Sequence, residues 1–213
     1  MMPSVPTADQ IRATLARVAP GLRRSATIGR VRGDHDGNPG MAPAGELRPA
    51  AVLVPLVERP DGLSVLLTQR TAHLHDHAGQ ISFPGGRIEP DDPDPVAAAL
   101  RETEEEIGLH RRHVEIVGRL DTYQTRTSYE VTPVVGLVRP PFDLVPDTFE
   151  VAEIFEIPLS FVLDPRNRER RSRHFQGTER HFWVLPYPDR YIWGVTAGML
   201  VNLAEVLQGE DAP

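Results

Sequence analysis

The stretch "AVLVPLVERPDGLSVLLTQR" is the strongest constraint on how this chain folds. Ala51 to Arg59 and Leu63 to Arg70 are apolar runs rich in β-branched residues, and Pro60-Asp61-Gly62 between them is turn chemistry, which together predict a β-hairpin. Further short strands are read at "VEIVGRLD" (114–121), "VTPVVGLV" (131–138), "VAEIFEIP" (151–158) and "RHFWVLPY" (180–187). Helices are expected at Thr7–Val18, with Thr7 as N-cap and Ile11, Leu15 and Val18 on one face, and over "YIWGVTAGMLVNLAEVLQ" (191–208), where Trp193, Ala197, Leu200, Ala204 and Leu207 recur at helical spacing. Strands around a few helices predict an α/β (α+β) domain built in layers. With 213 residues the chain suits one domain with a sizeable core. The expected division is an N-terminal helix and Gly/Pro-rich linker (1–48), a main domain (49–208) and a short tail (209–213).

A second helix is expected from Pro95 to Ile107, with Asp94 as its cap and Gly108 at C′. Val96, Leu100, Thr103 and Ile107 are read as its core face, and Ala98, Ala99, Glu102, Glu105 and Glu106 as the opposite one. Glu102 is three and four residues from Glu105 and Glu106, so three carboxylates converge near the negative end of the helix dipole, each like-charge pair costing about 0.2–0.5 kcal/mol. Arg101 is placed to pair with Glu105 only, and Glu104 is read as a solvated surface charge. A backbone carbonyl from Gly85-Gly86, just upstream, would complete a hard oxygen site suited to Mg²⁺ or Mn²⁺. A divalent cation turns the repulsion into coordination.

Gly86, Arg101-Glu102, Glu105-Glu106, Gly108 and Leu109 stand where the Nudix hydrolase signature, G-x5-E-x7-R-E-U-x-E-E-x-G-U, has its fixed positions. The chain resembles that family, with two departures: the early acid is Asp92, one residue further from Arg101 than in the general pattern, and Thr103 replaces an aliphatic residue. "LLTQRTAHLHDHAGQISFPGG" is further similar to the motif LLTxR[SA]x3Rx3Gx3FPGG of the coenzyme A diphosphatase subfamily, with Thr71 in place of Ser/Ala and His75 in place of Arg. The resemblance runs from about Ala51 to Leu207. It implies a Nudix-type α/β/α sandwich with a mixed β-sheet, and metal-dependent hydrolysis of the diphosphate bond of coenzyme A or its derivatives to 3′,5′-ADP and 4′-phosphopantetheine. Glu102, Glu105 and Glu106, with a carbonyl of Gly85 or Gly86, would hold Mg²⁺ or Mn²⁺; Arg101 would orient the carboxylates; and the general base would be one of the three glutamates, Glu150 or Glu153. Arg70, His75, Gly79 and Phe83 are the candidates for substrate binding. The alternatives are a Nudix hydrolase of ADP-ribose or another nucleotide sugar, and a non-catalytic ligand sensor, against which the complete REx2EE core speaks.

Composition excludes several other classes. Cysteine is absent, so disulfides, thiolate nucleophiles and zinc–thiolate sites are excluded, and all 23 basic residues are arginine, which excludes a P-loop lysine. A net charge of −7 argues against a nucleic-acid-coating protein. No window is apolar enough to span a membrane and the N-terminus lacks the apolar stretch of a signal peptide, so a cytoplasmic location with no membrane partner is expected. The expected partner is a small-molecule substrate, with room left for a homodimer. The alternating His73, His75 and His77 are one residue short of a zinc-hydrolase spacing and are read as loop residues, some able to meet substrate phosphate. The basic run Arg166–His174 is read as a solvated loop, and Trp193, Ala197 and Leu200 as core packing.

Overall fold

A computed structural model of the chain describes residues 5–18, 31–38, 40–43, 45–73, 78–175 and 177–209. In chain order the elements are α1 (Ala8–Val18), β1 (Arg32–Gly33), β2 (Arg48–Arg59), β3 (Gly62–Arg70), β4 (Ile81–Ser82), β5 (Gly85–Arg87), α2 (Pro95–Ile107), β6 (Val114–Arg119), β7 (Tyr123–Gln124), β8 (Tyr129–Val138), β9 (Val151–Pro158), α3 (Leu159–Leu163), β10 (Glu169–Phe175), β11 (Thr178–Tyr187), β12 (Arg190–Trp193) and α4 (Gly194–Gln208). The predicted hairpin forms: β2 and β3 pair antiparallel down to Arg59 opposite Gly62, leaving Pro60 and Asp61 as a two-residue turn. Gly62 takes φ +120°, a conformation that only glycine adopts readily. β2 begins at Arg48, three residues before its predicted start, because β8 pairs with it in parallel from Arg48 opposite Tyr129 to Val57 opposite Val138.

Around this pair the described strands form a mixed nine-stranded sheet, and β10–β11–β12 form a separate antiparallel sheet of three. Strand periodicity builds the layers. Along β2, Ala50, Val54 and Leu56 enter one buried cluster, while Ala51, Leu53 and Val57 enter a second on the other face. β8 divides likewise, with Val131, Val135 and Leu137 on the first side and Val134 and Val138 on the second. α1, α3 and α4 cover the first face; α2 covers the second. The result is the expected α/β/α sandwich. Each fully buried Leu or Val in these clusters contributes roughly 1.5–3 kcal/mol.

Three local expectations are corrected. α2 lies flat on the sheet through Ala98, Ala99, Thr103, Glu106 and Ile107, all buried, whereas Val96 and Leu100 only flank that contact. Ala98 and Ala99 are fully buried in one cluster with Ala51 and add little bulk between helix and sheet, so the alanines belong to the core face. The Thr103 hydroxyl donates to the Ala99 carbonyl at 2.6 Å, which satisfies a polar group at an otherwise apolar position. The run Arg166–His174 is exposed but not a loop, because Glu169–Phe175 pairs along its length with β11. Tyr191–Trp193, read as the start of the last helix, is strand β12, and α4 begins at Gly194, where φ is +64°.

The N-terminal segment joins the same core. Thr7 caps α1, its hydroxyl accepting from the Gln10 N–H at 3.3 Å, and Ile11 and Leu15 are fully buried in the first cluster. Asn38, 3% exposed in the Gly/Pro-rich stretch, is fixed to β11 at both ends: it donates to the His181 carbonyl and accepts from the His181 N–H, each at 2.8 Å. Among the described residues no helix is long and apolar enough to cross a membrane.

Candidate active site

α2 has the predicted ends. Asp94 accepts from the Ala97 N–H at 2.9 Å, and Gly108 at φ +69° returns its N–H to the Glu104 carbonyl. The carbonyls of the last turn find partners in the segment after β8: Val145 N–H donates to Ile107 O at 2.9 Å and Asp147 N–H to Glu106 O at 2.8 Å. These bonds satisfy acceptors that the helix leaves open. They also fix the turn at Asp147 that carries Glu150 beside α2, since Glu150 N–H donates back to Asp147 O at 3.0 Å.

The three predicted carboxylates occupy different surroundings. Glu106 is 6% exposed; its Oε2 accepts from the Gly85 N–H at 3.1 Å, and its Oε1 lies 3.7 Å from Arg70 Nη1. Burial pushes its pKa up to about 7, partly offset by the Gly85 N–H and Arg70 and reinforced by Glu150 and Glu102. Glu102 is half-buried and its pKa is also raised, first by burial; Arg101 opposes this and Glu105 and Glu150 add to it. Glu105 is the most exposed, with 60% of its side chain accessible. The glycine pair contributes close backbone approach. A Cβ on Gly86 would stand 2.5 Å from the Glu102 carboxyl carbon, and one on Gly85, at φ +147°, would stand 2.4 Å from the Ala51 carbonyl oxygen. Of the glycine pair, Gly85 meets the carboxylates through its N–H, which donates to Glu106.

Arg101 engages more partners than its spacing predicted. It donates to both oxygens of Asp92, at 3.1 and 2.8 Å, to Glu102 at 2.9 Å, to Glu105 at 3.2 Å and to the Arg87 carbonyl at 3.1 Å. Asp92, displaced by one residue in the sequence pattern, still meets the guanidinium as a bidentate acceptor, and Arg101 holds its pKa below the usual carboxylate range. Glu104 is not a free surface charge: it accepts from the Arg111 N–H at 2.7 Å and from its guanidinium, which lowers its pKa.

The two candidate bases separate clearly. Glu150 Oε2 lies 3.6 Å from Arg70 Nη2 and raises the pKa of both Glu102 and Glu106, so it faces the carboxylate group. Glu153 is instead held by the Arg190 guanidinium, which also bonds Gln69 at 2.9 Å. Arg70 joins the site from the end of β3, and among the described residues its buried Nε has no hydrogen-bond partner. Phe83 is 2% exposed and part of the core, and Gly79, at φ +68°, closes the loop after β3 by donating to Thr71 O at 3.4 Å. His73 packs its ring on Phe149 at 5.0 Å, while His75 and His77 lie outside the described residues.

Among the described residues no three carboxylate or imidazole groups stand as a closed cation cage, since Glu102 and Glu105 give oxygens to Arg101. The donor set nevertheless fits a hard divalent cation. It is all oxygen, it centres on a buried carboxylate that is costly to ionise alone, and small glycines leave the approach open.

Beside Arg70, Gly85 and Gly86 lies a cavity of about 600 Å³, lined also by the three-stranded sheet, by residues between Arg32 and Asn38 and by Met41. Trp193, read as core, lines it together with Trp183, Tyr129 and Arg173. These residues carry no local spacing signal, because three separate stretches of chain bring them together.

The NUDIX domain model matches residues 47–184. The chain is 41% identical over 157 residues to NudL of Escherichia coli (strain K12), a Nudix hydrolase described as uncharacterized, with 74% of this chain and 81% of that protein covered. Among solved structures, similarity extends to a MutT/nudix family protein from Enterococcus faecalis (18% identity, TM-score 0.48, 78% of this chain and 64% of that one). It also extends to an Ap4A hydrolase from C. elegans (24%, TM-score 0.45, 52% and 80%). On the domain match and the NudL similarity, the chain belongs to the Nudix hydrolase family.

Proposed function

We propose that this Nudix hydrolase cleaves the diphosphate bond of coenzyme A or its derivatives, giving 3′,5′-ADP and 4′-phosphopantetheine. The observation that carries the reading is the position of Arg70. It belongs to the "LLTQR…FPGG" pattern of the coenzyme A diphosphatases, and its Nη1 lies 3.7 Å from Glu106 and its Nη2 3.6 Å from Glu150, both beyond hydrogen-bond distance. A guanidinium there has donors to spare for the phosphoryl oxygens of a diphosphate.

One water is consumed in the reaction: its oxygen bonds one phosphorus while the bridging oxygen leaves with the other phosphate. Nudix hydrolases act with divalent cations, and here Glu102, Glu105 and Glu106, with a carbonyl of Gly85 or Gly86, would hold one that polarises the phosphoryl oxygens and acidifies water. The remaining work falls to side chains. Arg70 orients the diphosphate. Arg101, braced by Asp92, fixes Glu102 in position. Glu150 is the base we assign for the water proton, because it faces the carboxylate group and is more weakly held than Glu153. The adjoining cavity of about 600 Å³ has room for the nucleotide.

Incubating the protein with coenzyme A, dephospho-coenzyme A, ADP-ribose and diadenosine polyphosphates in Mg²⁺ or Mn²⁺, with products identified by mass spectrometry, tests the reading. Release of 3′,5′-ADP from coenzyme A supports it. Turnover of ADP-ribose alone would assign the same carboxylates to a nucleotide-sugar hydrolase, and binding without turnover would favour a sensor.

A further inference from the structure

The cavity has a second cationic wall, away from Arg70, which the diphosphate chemistry does not use. Besides Arg70, the described lining of the cavity carries six arginines against two aspartates and no glutamate, in a chain whose net charge is −7. Arg32 is neutralised by Asp121 and Glu205, but Arg126 and Arg173 form no ion pair among the described residues. Both are exposed at the cavity and stand over the same ring, their Cζ atoms 5.0 and 5.5 Å from the centroid of Phe175. Arg173 also lies 5.9 Å from the Trp193 ring, and Arg170 lies 5.2 Å from the Trp183 ring while donating to the Asp36 carbonyl at 2.8 Å. Phe182 meets Trp193 edge to face at 5.7 Å, so aromatic faces and guanidinium groups alternate along this wall.

Three chain segments build the arrangement. Arg126 comes from the turn between β7 and β8, with its N–H donating to Asp34 at 2.8 Å; Arg170, Arg173 and Phe175 come from β10; and the 32–38 segment is clamped to β11 by Asn38. A solvated basic strand needs none of this, since exposed arginines extend into water without aromatic neighbours or a concave surface to face. Two guanidinium groups without carboxylate partners, held on one ring at a cavity wall, present several donors to an anion. A phosphomonoester carries between −1.5 and −2 charges near neutral pH and three acceptor oxygens, which matches a pair of arginines better than a diphosphate diester bridge does. The flanking tryptophans offer faces on which a nucleobase stacks.

We propose that Arg126 and Arg173, flanking Phe175, form a second anion subsite that binds a phosphomonoester on the ribose of the substrate nucleotide, with the base resting on the Trp183 and Trp193 wall. This makes the substrate class a nucleoside diphosphate bearing an additional phosphate, and it deepens the diphosphatase reading on which it rests.

The chain has two tryptophans and both line this cavity, so intrinsic fluorescence reports binding there without turnover. The whole protein in EDTA is titrated with adenosine 3′,5′-bisphosphate and with adenosine 5′-monophosphate. The bisphosphate is expected to bind at least tenfold more tightly. Arg126→Ala and Arg173→Ala should each remove most of that preference, and Arg173→Lys should keep part of it. Equal affinities in the wild type, or variants that weaken both nucleotides equally, would overturn the subsite. If either alanine variant fails to fold by circular dichroism, the other carries the test. Retained bisphosphate preference in a protein that does not cleave coenzyme A removes the proposed activity and leaves the subsite. Cleavage of coenzyme A with no preference for the bisphosphate removes the subsite and leaves the activity.

Discussion

Arg101 holds Asp92 through two parallel hydrogen bonds, Nε to Oδ1 at 3.1 Å and Nη2 to Oδ2 at 2.8 Å, and turns its remaining nitrogen, Nη1, to Glu102 at 2.9 Å. Lysine keeps the charge and loses the planar fork. Arg101→Lys should therefore leave the thermal midpoint within a few degrees, while kcat/KM falls by roughly 10–100-fold because Glu102 is no longer fixed. Kinetics and a thermal melt on the same preparation check this, and an unchanged kcat/KM would mean that Arg101 is only a structural brace.

The two glycines before α2 should fail in different ways. Gly85→Ala meets the Ala51 carbonyl oxygen at 2.4 Å at φ +147°, so it should destabilise the fold by about 1–3 kcal/mol. In Gly86→Ala the obstructed atoms are the end of the Glu102 side chain, 2.5 Å away, so the cost should appear as weaker Mn²⁺ affinity with a smaller loss of stability. Calorimetric Mn²⁺ titration and urea unfolding separate the two.

Glu106 links stability to pH with a defined sign. Its pKa rises from the ordinary 4.5 to about 7 on folding, so between those values the folded state binds the extra proton. Stability of the metal-free protein should consequently fall as pH rises from about 4.5 to 7, by up to about 3 kcal/mol from this group. Glu106→Gln removes that slope. Saturating Mn²⁺ should restore the loss at pH 7 and above, because cation binding needs the ionised carboxylate. Urea titrations across this pH range, with and without metal, are the measurement.

The choice of base gives a contrast between neighbours. Glu150→Gln should lower kcat by about 10²–10⁴ with little change in the fold, whereas Glu153→Gln disturbs only its contact with Arg190 and should lower kcat less than tenfold. Equal losses in both variants would remove Glu150 from the role.

The hairpin, the ends of α2 and the Nudix carboxylates were legible because each is a local pattern: turn residues between apolar runs, Asp94 and Gly108 at fixed offsets, glutamates one helical turn apart. The buried side of α2 is only half legible, Thr103 and Ile107 but not the alanines, because alanine carries almost no hydrophobic signal, yet Ala98 and Ala99 share a buried cluster with Ala51. The Arg101–Asp92 fork, Glu104 with Arg111 and Asn38 with His181 rest on side-chain reach and on tertiary contacts spanning up to 143 residues of sequence, which spacing does not encode. The basic strand looked like a loop because its pairing partner, not its own apolar content, makes it a strand.

Asn38→Ala isolates that long-range contact. It deprives the Asp34 and His181 carbonyls and the His181 N–H of a partner that is 3% exposed, and should cost about 2–4 kcal/mol while loosening the cavity wall. The expected signature is a lower urea midpoint together with weaker nucleotide quenching of tryptophan fluorescence.

The most direct measurement is wild-type kcat/KM for coenzyme A and for ADP-ribose under the same saturating cation, with products weighed by mass spectrometry. Cleavage of coenzyme A to 3′,5′-ADP and 4′-phosphopantetheine, with kcat/KM at least tenfold above that for ADP-ribose, is the predicted result. A tenfold preference for ADP-ribose would contradict it.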